Sequence, residues 1–385
     1  MVMKLQINIF TTDLVWVGTV DSVFSLVHRS SWHEIPNSEI SISRKAQGVE
    51  EMTIGRILVI NNQLDKALII EDKSSSLDDE YWNFTCIPLK AILNYRICHP
   101  LDAGTFTNLR QSEVMTGIVS QNLITQNRDL DRKFWSTGRT KNLLSVVGGR
   151  VFGDLINFTV DWKTGEMGET MTALANMYGK EANYPLGWNI YIKPDFSGYE
   201  FNVWYGTHKH VNQTNNNPVV FSEEFGNIKN ATYTYSIKEW RNVTYMIWKN
   251  GDIEAEAPVG NYLEGWTESF NRKEMIINSN KKVINEAIDE GYSELNKRPH
   301  VESFEAEIIH NPNTMSTYLV DWKLGDIVTI QSRALLKDTL LSIDAMVTEV
   351  EESYSEGLYS INATFGEGKL TFMQILKNAI DKKGR

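Results

Sequence analysis

The chain has 385 residues, with 38 Lys and Arg against 49 Asp and Glu, a formal net charge of −11. Apolar residues at 42% and charged residues at 23% exclude wholesale disorder. The acidic balance argues against broad nucleic-acid binding, because phosphate contacts need a cationic surface. The length predicts about two to three domains. Two cysteines, Cys86 and Cys98, cannot staple such a chain or build a Cys-rich zinc site, and read as buried small hydrophobes in a reducing compartment. No long apolar core follows Lys4, so no signal peptide is expected, and no run of 18 apolar residues predicts a membrane span.

The first hundred residues read as β-structure. Leu5, Ile7 and Ile9 alternate with polar neighbours, as do Ile40 and Ile42. Apolar runs at Ile54–Ile60 and Lys66–Ile70 flank a turn-like break, and Tyr81–Ile87 is a further strand. Short strands at this spacing predict an antiparallel barrel or sandwich. Pro88–Asn94 reads as a helical turn.

Beyond residue 101 the periodicity changes. Val114, Met115, Ile118, Val119 and Leu123 recur near 3.6 and predict a helix capped by Ser112. Residues 164–179 predict a second helix, capped by Thr164. Trp188–Tyr205 alternates around Pro194–Gly198 and predicts a hairpin. Residues 211–217 are Asn-rich and read as a loop. Strands are then expected at Pro218–Phe221, Ile228–Ile237 and Val243–Trp248. A helix is expected over Asn278–Leu295, and strands at Val301–Ile309, Ile327–Ile330, Leu340–Val350 and Leu358–Phe365. Lys369–Ile380 has an amphipathic helical pattern before a basic tail.

One near-repeat, Val160–Glu166 against Val320–Asp326, raises the question of duplication. Its first copy runs into a helix pattern and its second into a strand pattern, unlike a true repeat.

Chemistry-bearing patterns are sparse. His208 and His210 fall on one face of a strand and could join a third metal ligand, or simply end a polar strand. Glu223 and Glu224, and Glu349, Glu351 and Glu352, supply carboxylates of the type a glycosidase needs, or merely reflect an acidic chain. There is no phosphate-binding Gly motif, no nucleophile elbow and no HExxH. Trp188, Trp204, Trp240, Trp248 and Trp266 could stack sugars, or fill β-cores and subunit interfaces. Lys281-Lys282, Lys297-Arg298 and the Lys382–Arg385 tail are short basic clusters that suit helix ends. The reading therefore assigns no catalytic, cofactor-binding or metal residues.

Several strings in order are similar to those of one family. They are Leu93-Asn94-Tyr95-Arg96-Ile97, Asn217–Ser222 followed by Gly226-Asn227-Ile228, Leu324–Val328, and Thr364-Phe365-Gly366. The chain resembles the tail-hub proteins of long-tailed, non-contractile bacteriophages, also called tail-associated or minor structural proteins, whose fold is similar to that of the contractile-phage baseplate hub. The resemblance implies an α+β, mostly β fold. It has a first tube-type β-barrel over 1–100 and an α+β middle domain over 101–217. A second barrel over 218–368 is interrupted by a helical insertion at about 261–300, and a C-terminal helix and tail follow over 369–385. It further implies a homotrimeric ring with a central channel, non-enzymatic, joining a sixfold tail to a threefold tip. Its expected partners are a distal tail ring protein, the tape-measure protein and tip or receptor-binding proteins, with no membrane, no cofactor, and DNA only as transiting cargo. Such a protein is assembled in the host bacterial cytoplasm and ends in the virion tail tip. Leu93, Arg96 and Ile97 are expected to seat the first barrel on the middle domain, and Gly325 and Asp326 to shape a turn opening a strand. A fused lytic module is not expected. The competing reading is a tail-tip peptidoglycan hydrolase or cell-wall sugar-binding module.

Overall fold

The structure is a computed structural model. It describes residues 5–32, 34–125, 129–148, 151–177, 184–250, 253–260, 270, 272–281, 283–298, 301–309, 313, 316–333, 340–355 and 357–366. The helix expected over 369–385 lies outside the described residues, as do Trp266 and His310. Contacts divide the chain into two units. The first comprises Met1–Gly206, Arg241–Lys297 and Glu351–Ile361; the second comprises Thr207–Trp240, Arg298–Val350 and Asn362–Arg385.

The first unit begins with seven strands: β1 (Ile7–Phe10), β2 (Trp16–Val20), β3 (Val23–Ser31), β4 (Ser38–Ser43), β5 (Ile57–Ile60), β6 (Leu68–Ser74) and β7 (Tyr81–Pro88). They pair antiparallel in the order β3-β4-β7-β6-β5-β1-β2, an open path. Alternation dictates the faces. In β4 the side chains of Ile40 and Ile42 are buried while Ser41 and Ser43 are not. Leu5, Ile7, Ile9, Leu26, Ile40, Ile42, Leu58, Ile70 and Phe84 share one core. A 3-10 turn, Leu89–Tyr95, follows β7 where the helical turn was expected.

The chain continues through β8 (Thr105–Arg110), α1 (Gln111–Val119), β9 (Leu144–Val146), β10 (Leu155–Thr159), α2 (Met167–Ala175), β11 (Gly187–Ile192) and β12 (Tyr199–Trp204). Both helices start elsewhere than expected. The Glu113 carboxylate accepts the Arg110 N–H at 2.9 Å and caps α1, while Ser112 lies inside the helix and accepts the Phe152 N–H at 2.7 Å. Thr164 accepts the Asp161 N–H at 2.9 Å and shapes the turn before α2, whose N-cap is Glu166. β11 and β12 form the expected hairpin. The buried faces of α1, α2 and β11–β12 share a core with Phe10, Ile57, Leu89 and Leu93, so the 1–100 and 101–206 segments pack as one unit.

Two strands leave for the second unit, β13 (Val220–Ser222) and β14 (Ile228–Ser236). The chain then re-enters the first unit with β15 (Val243–Asn250), β16 (Ile253–Gly260), β17 (Glu274–Asn278) and α3 (Ile284–Asn296). Among the described residues, the stretch expected as a helical insertion at about 261–300 holds β17 as well as α3, and β17 pairs with β15, the strand expected at Val243–Trp248. Met246, Ile277 and Leu295 form a small core. Asp289 of α3 accepts the Asn157 N–H at 2.9 Å and fixes α3 to β10.

The second unit is completed by β18 (Val301–Ile308), β19 (Ile327–Ser332), β20 (Leu341–Ser355) and β21 (Leu358–Gly366), in the order β13-β19-β20-β21-β18-β14. The tip of the β20–β21 hairpin, Glu351–Ile361, groups with the first unit. Aromatic rings fill the second unit's core. Phe221 meets Trp322 edge-on at 5.4 Å and Phe365 at 5.1 Å. Gly325 adopts φ +87° and closes a turn in which the Asp326 N–H donates to Lys323 O at 3.1 Å; β19 opens at the next residue.

The near-repeat has two fates. Gly165 and Gly325 share a positive φ, but the first copy leads into α2 and the second into β19. Trp162 is exposed, whereas Trp322 is fully buried. Both cysteines are buried and free, and burial pushes the Cys86 thiol up to about 12 and that of Cys98 to about 11.

Candidate functional site

Three of the acidic residues singled out in the sequence have partners on the protein. Glu223 accepts from the Ser332 hydroxyl at 2.9 Å, and Glu224 pairs with Arg333 at 2.8 Å. Glu351 pairs with Arg29 at 2.9 Å.

Glu352 is different, because it is buried and ionised. Desolvation pushes its carboxyl up, but the His28 hydrogen bond and the Lys66 charge outweigh that and hold it at about 2. Lys66 Nζ donates to Oε1, His28 Nδ1 stands 3.6 Å from the same oxygen, and the Tyr359 hydroxyl donates to Oε2 at 2.7 Å. A cavity of about 20 Å³ lies beside the cluster, with Leu26 and Ile60 among its walls, room for one water. Strand β3 supplies His28, the turn after β5 supplies Lys66, and the hairpin tip supplies Glu352 and Tyr359. This is an ionic clamp on the hairpin tip. Both Glu352 carboxylate oxygens have protein partners.

His208 and His210 do come together. His208 Nδ1 and His210 Nε2 are 3.2 Å apart. The Lys209 N–H donates to Ile327 O at 2.8 Å and the Val219 N–H to Lys209 O at 2.7 Å, which holds this segment extended beside β19. Burial first, then the neighbouring His210, lower the pKa of His208 below the usual imidazole value. The sequence held no carboxylate near this pair, yet the fold brings Asp344 of β20 to 3.3 Å from His210 Nδ1. Among the described residues no group of three or more His, Cys, Asp and Glu converges as a metal centre would.

Among the described residues, three of the tryptophans singled out in the sequence lie in or against cores. Trp188 and Trp248 are buried, and Trp204 stands edge-on to buried Trp32 at 5.5 Å. Exposed apolar side chains gather instead after the 3-10 turn, at Tyr95, Ile97 and Leu101. Trp162, 64% exposed, lies edge-on to His99 in the same stretch at 4.9 Å. The segment itself is firmly held. Leu93 is fully buried, Arg96 O accepts the Met167 N–H at 2.7 Å, and the Cys98 N–H donates to Gly165 O at 2.8 Å. The Arg96 guanidinium stacks over Phe134 at 5.3 Å. The stretch therefore combines a firmly held backbone with exposed apolar side chains.

The sequence model of the siphovirus ReqiPepy6 Gp37-like proteins matches residues 6–367. The chain belongs to that family. No curated protein matches it in sequence. Solved structures of the same fold include the 43 kDa tail protein of prophage MuSo2 from Shewanella oneidensis, at 11% identity and a TM-score of 0.58 over 95% of this chain and 98% of that one. The tail protein from Neisseria meningitidis MC58 is 10% identical, with a TM-score of 0.55 over 95% and 97% of the two chains. Prophage tail protein gp18 from Listeria monocytogenes EGD-e is 10% identical, with a TM-score of 0.53 over 98% and 99%. The resemblance to siphophage tail proteins is borne out, and this Gp37-like protein shares its α+β, mostly β fold with prophage tail proteins along almost its whole length.

Proposed function

We propose that this Gp37-like protein is a structural hub of a long-tailed phage tail tip. Three copies form a ring with a central channel, joining the sixfold tail to a threefold tip. The supporting observation is that the fold is shared with prophage tail proteins over 95% or more of both chains. The family model spans residues 6–367 in one match. In this reading the strands of residues 1–100 and of 218–368 close as tube-type barrels lining the ring, and the middle segment stands outside it. A distal tail ring protein docks above, tip or receptor-binding proteins dock below, and the end of the tape-measure protein sits in the channel before ejection. The subunit is made in the host cytoplasm and acts by shape and interface, not by catalysis. The excess of eleven acids suits a lumen that lets DNA pass without holding it.

The test is mass measurement at high protein concentration together with negative-stain microscopy. Threefold rings with a central channel are expected. A strictly monomeric species at all concentrations, joined to clearing of a peptidoglycan zymogram that is lost in Glu223→Gln or Glu224→Gln, would overturn the structural reading in favour of a hydrolase.

A further inference from the structure

We propose that His208 and His210 form a two-imidazole chelate for a borderline divalent transition metal of the Zn²⁺ class, with Asp344 as the outer-sphere carboxylate and water completing the coordination. Two nitrogens bound to one Zn²⁺ at about 2.0–2.1 Å with a near-tetrahedral angle stand about 3.3 Å apart. His208 Nδ1 and His210 Nε2 are already 3.2 Å apart. The rings are inclined at 73° and do not stack.

The surroundings favour the metal-binding tautomer. His210 Nδ1 is buried and makes no aligned hydrogen bond, yet Asp344 Oδ2 stands 3.3 Å away. A proton on Nδ1, the nitrogen near that carboxylate, leaves the lone pair on Nε2, the atom 3.2 Å from His208 Nδ1. This is the arrangement in which a second-shell carboxylate orients a ligating imidazole. Asp344 is itself held, because Thr329 Oγ1 donates to its Oδ1 at 2.5 Å and Asn212 Nδ2 donates to its Oδ2 at 2.7 Å. The backbone carrying the pair is fixed as well. The Val211 N–H donates to Thr329 Oγ1 at 2.9 Å, and Asn216 Nδ2 donates to His208 O at 2.9 Å. His208 is exposed, which leaves an entry path. Lys209, between the two imidazoles, is tied to Asp326 at 3.0 Å and to Asp321 O at 2.6 Å, so its ammonium is drawn away from the site. Nitrogen ligands with a water-filled remainder select Zn²⁺, Ni²⁺ or Cu²⁺ over the oxygen-seeking Mg²⁺ and Ca²⁺. A bound metal would staple the extended segment after Thr207 in place beside β19 and β20.

The test is titration of the tag-free full chain with ZnCl2 by calorimetry, with bound metal counted by elemental analysis and thermal unfolding followed in parallel. One equivalent is expected in the micromolar range or tighter, with a midpoint of unfolding that rises with Zn²⁺ and is indifferent to Mg²⁺. His208→Gln, at an exposed position that leaves the fold intact, removes that equivalent and the thermal shift. His210→Gln does the same, and Asp344→Asn weakens binding about 10–100-fold. Binding weaker than millimolar, or one equivalent retained by His208→Gln with unchanged affinity, overturns the proposal.

Discussion

The Tyr359 hydroxyl donates to Glu352 Oε2 at 2.7 Å, and the carboxylate it touches is buried with His28 and Lys66 on its other oxygen. Four side chains thus satisfy one another, and the pH behaviour of the pair follows from their burial. Burial and the Glu352 charge raise the Tyr359 phenol well above the usual tyrosine range, so it remains a donor at every pH at which the fold persists.

The Glu352 carboxyl has a folded pKa of about 2 against an ordinary 4.5. A depressed carboxyl contributes stability that is fully present above its unfolded pKa and is lost as pH falls through the folded one. Stability is expected to drop by about 3 kcal/mol between roughly pH 4.5 and pH 2 through this group alone. Urea denaturation across that range is the measurement. Glu352→Gln should flatten that part of the profile and cost about 3–5 kcal/mol at neutral pH, because the buried Lys66 ammonium loses its counter-charge.

Lys90 behaves in the opposite sense. Its Nζ is buried, donates to Ser31 O at 2.8 Å and lies 5.4 Å from the centre of the Trp188 ring. Desolvation lowers its pKa to about 8 against 10.5, although the Glu34 charge opposes the shift. Between these values the unfolded chain holds the extra proton, so stability rises with pH from about 8 towards 10.5. Lys90→Met should abolish that rise and raise the unfolding midpoint at pH 7. A Lys90→Met midpoint below the parent's would show that the bond to Ser31 outweighs the burial cost.

Gly187 opens β11 against Trp32. A Cβ at Gly187 would stand 2.4 Å from Trp32 Cη2, and Trp32 is fully buried. Gly187→Ala is expected to destabilise by about 1–3 kcal/mol through overpacking. Gly104→Ala, where a Cβ meets nothing within 4 Å, is the matched control and should change stability by less than about 0.5 kcal/mol. Chemical denaturation of the two variants side by side decides it.

Trp162 is 64% exposed and packs edge-on to His99. If the Tyr95–Leu101 stretch is a subunit contact, Trp162→Ala should leave the unfolding midpoint nearly unchanged and weaken self-association at least tenfold in sedimentation. An unchanged association constant would remove this surface from the interface.

Strands with a clean alternation were legible in the sequence. β4 was readable because Ile40 and Ile42 alternate with serines, and the β11–β12 hairpin because its turn residues separate two alternating runs. β2 and β3 were not, since Trp16 and Phe24 are exposed apolar residues that break the pattern. β15 was expected as a strand, but β16 was not, and β17 lies inside the stretch expected to be a helical insertion. Sequence context made Ile253–Gly260 look unlike a strand, yet it pairs with β15 residue for residue. Helix starts failed for a related reason. Ser112 and Thr164 are good capping residues in isolation, but the Ser112 hydroxyl accepts from distant Phe152 and the Thr164 hydroxyl from Asp161 in its own local turn. The Glu352 clamp had no local signature at all, because Lys66 is 286 residues away in sequence. The histidine pair was visible as a strand-face motif; its carboxylate neighbour Asp344 was not, for the same reason of distance along the chain.

The two sealed thiols have a practical consequence. Cys86 and Cys98 have thiols raised to about 12 and 11, and neither reaches solvent in the folded chain. Burial and the raised pKa keep both sulfurs protonated and unreactive while the fold persists. The same property makes them natural clocks. Because Cys86 sits in β7 and Cys98 beside α2, where its Sγ is 3.5 Å from Thr170 Oγ1, the rate at which each is alkylated reports how often its own neighbourhood opens, without any engineered label.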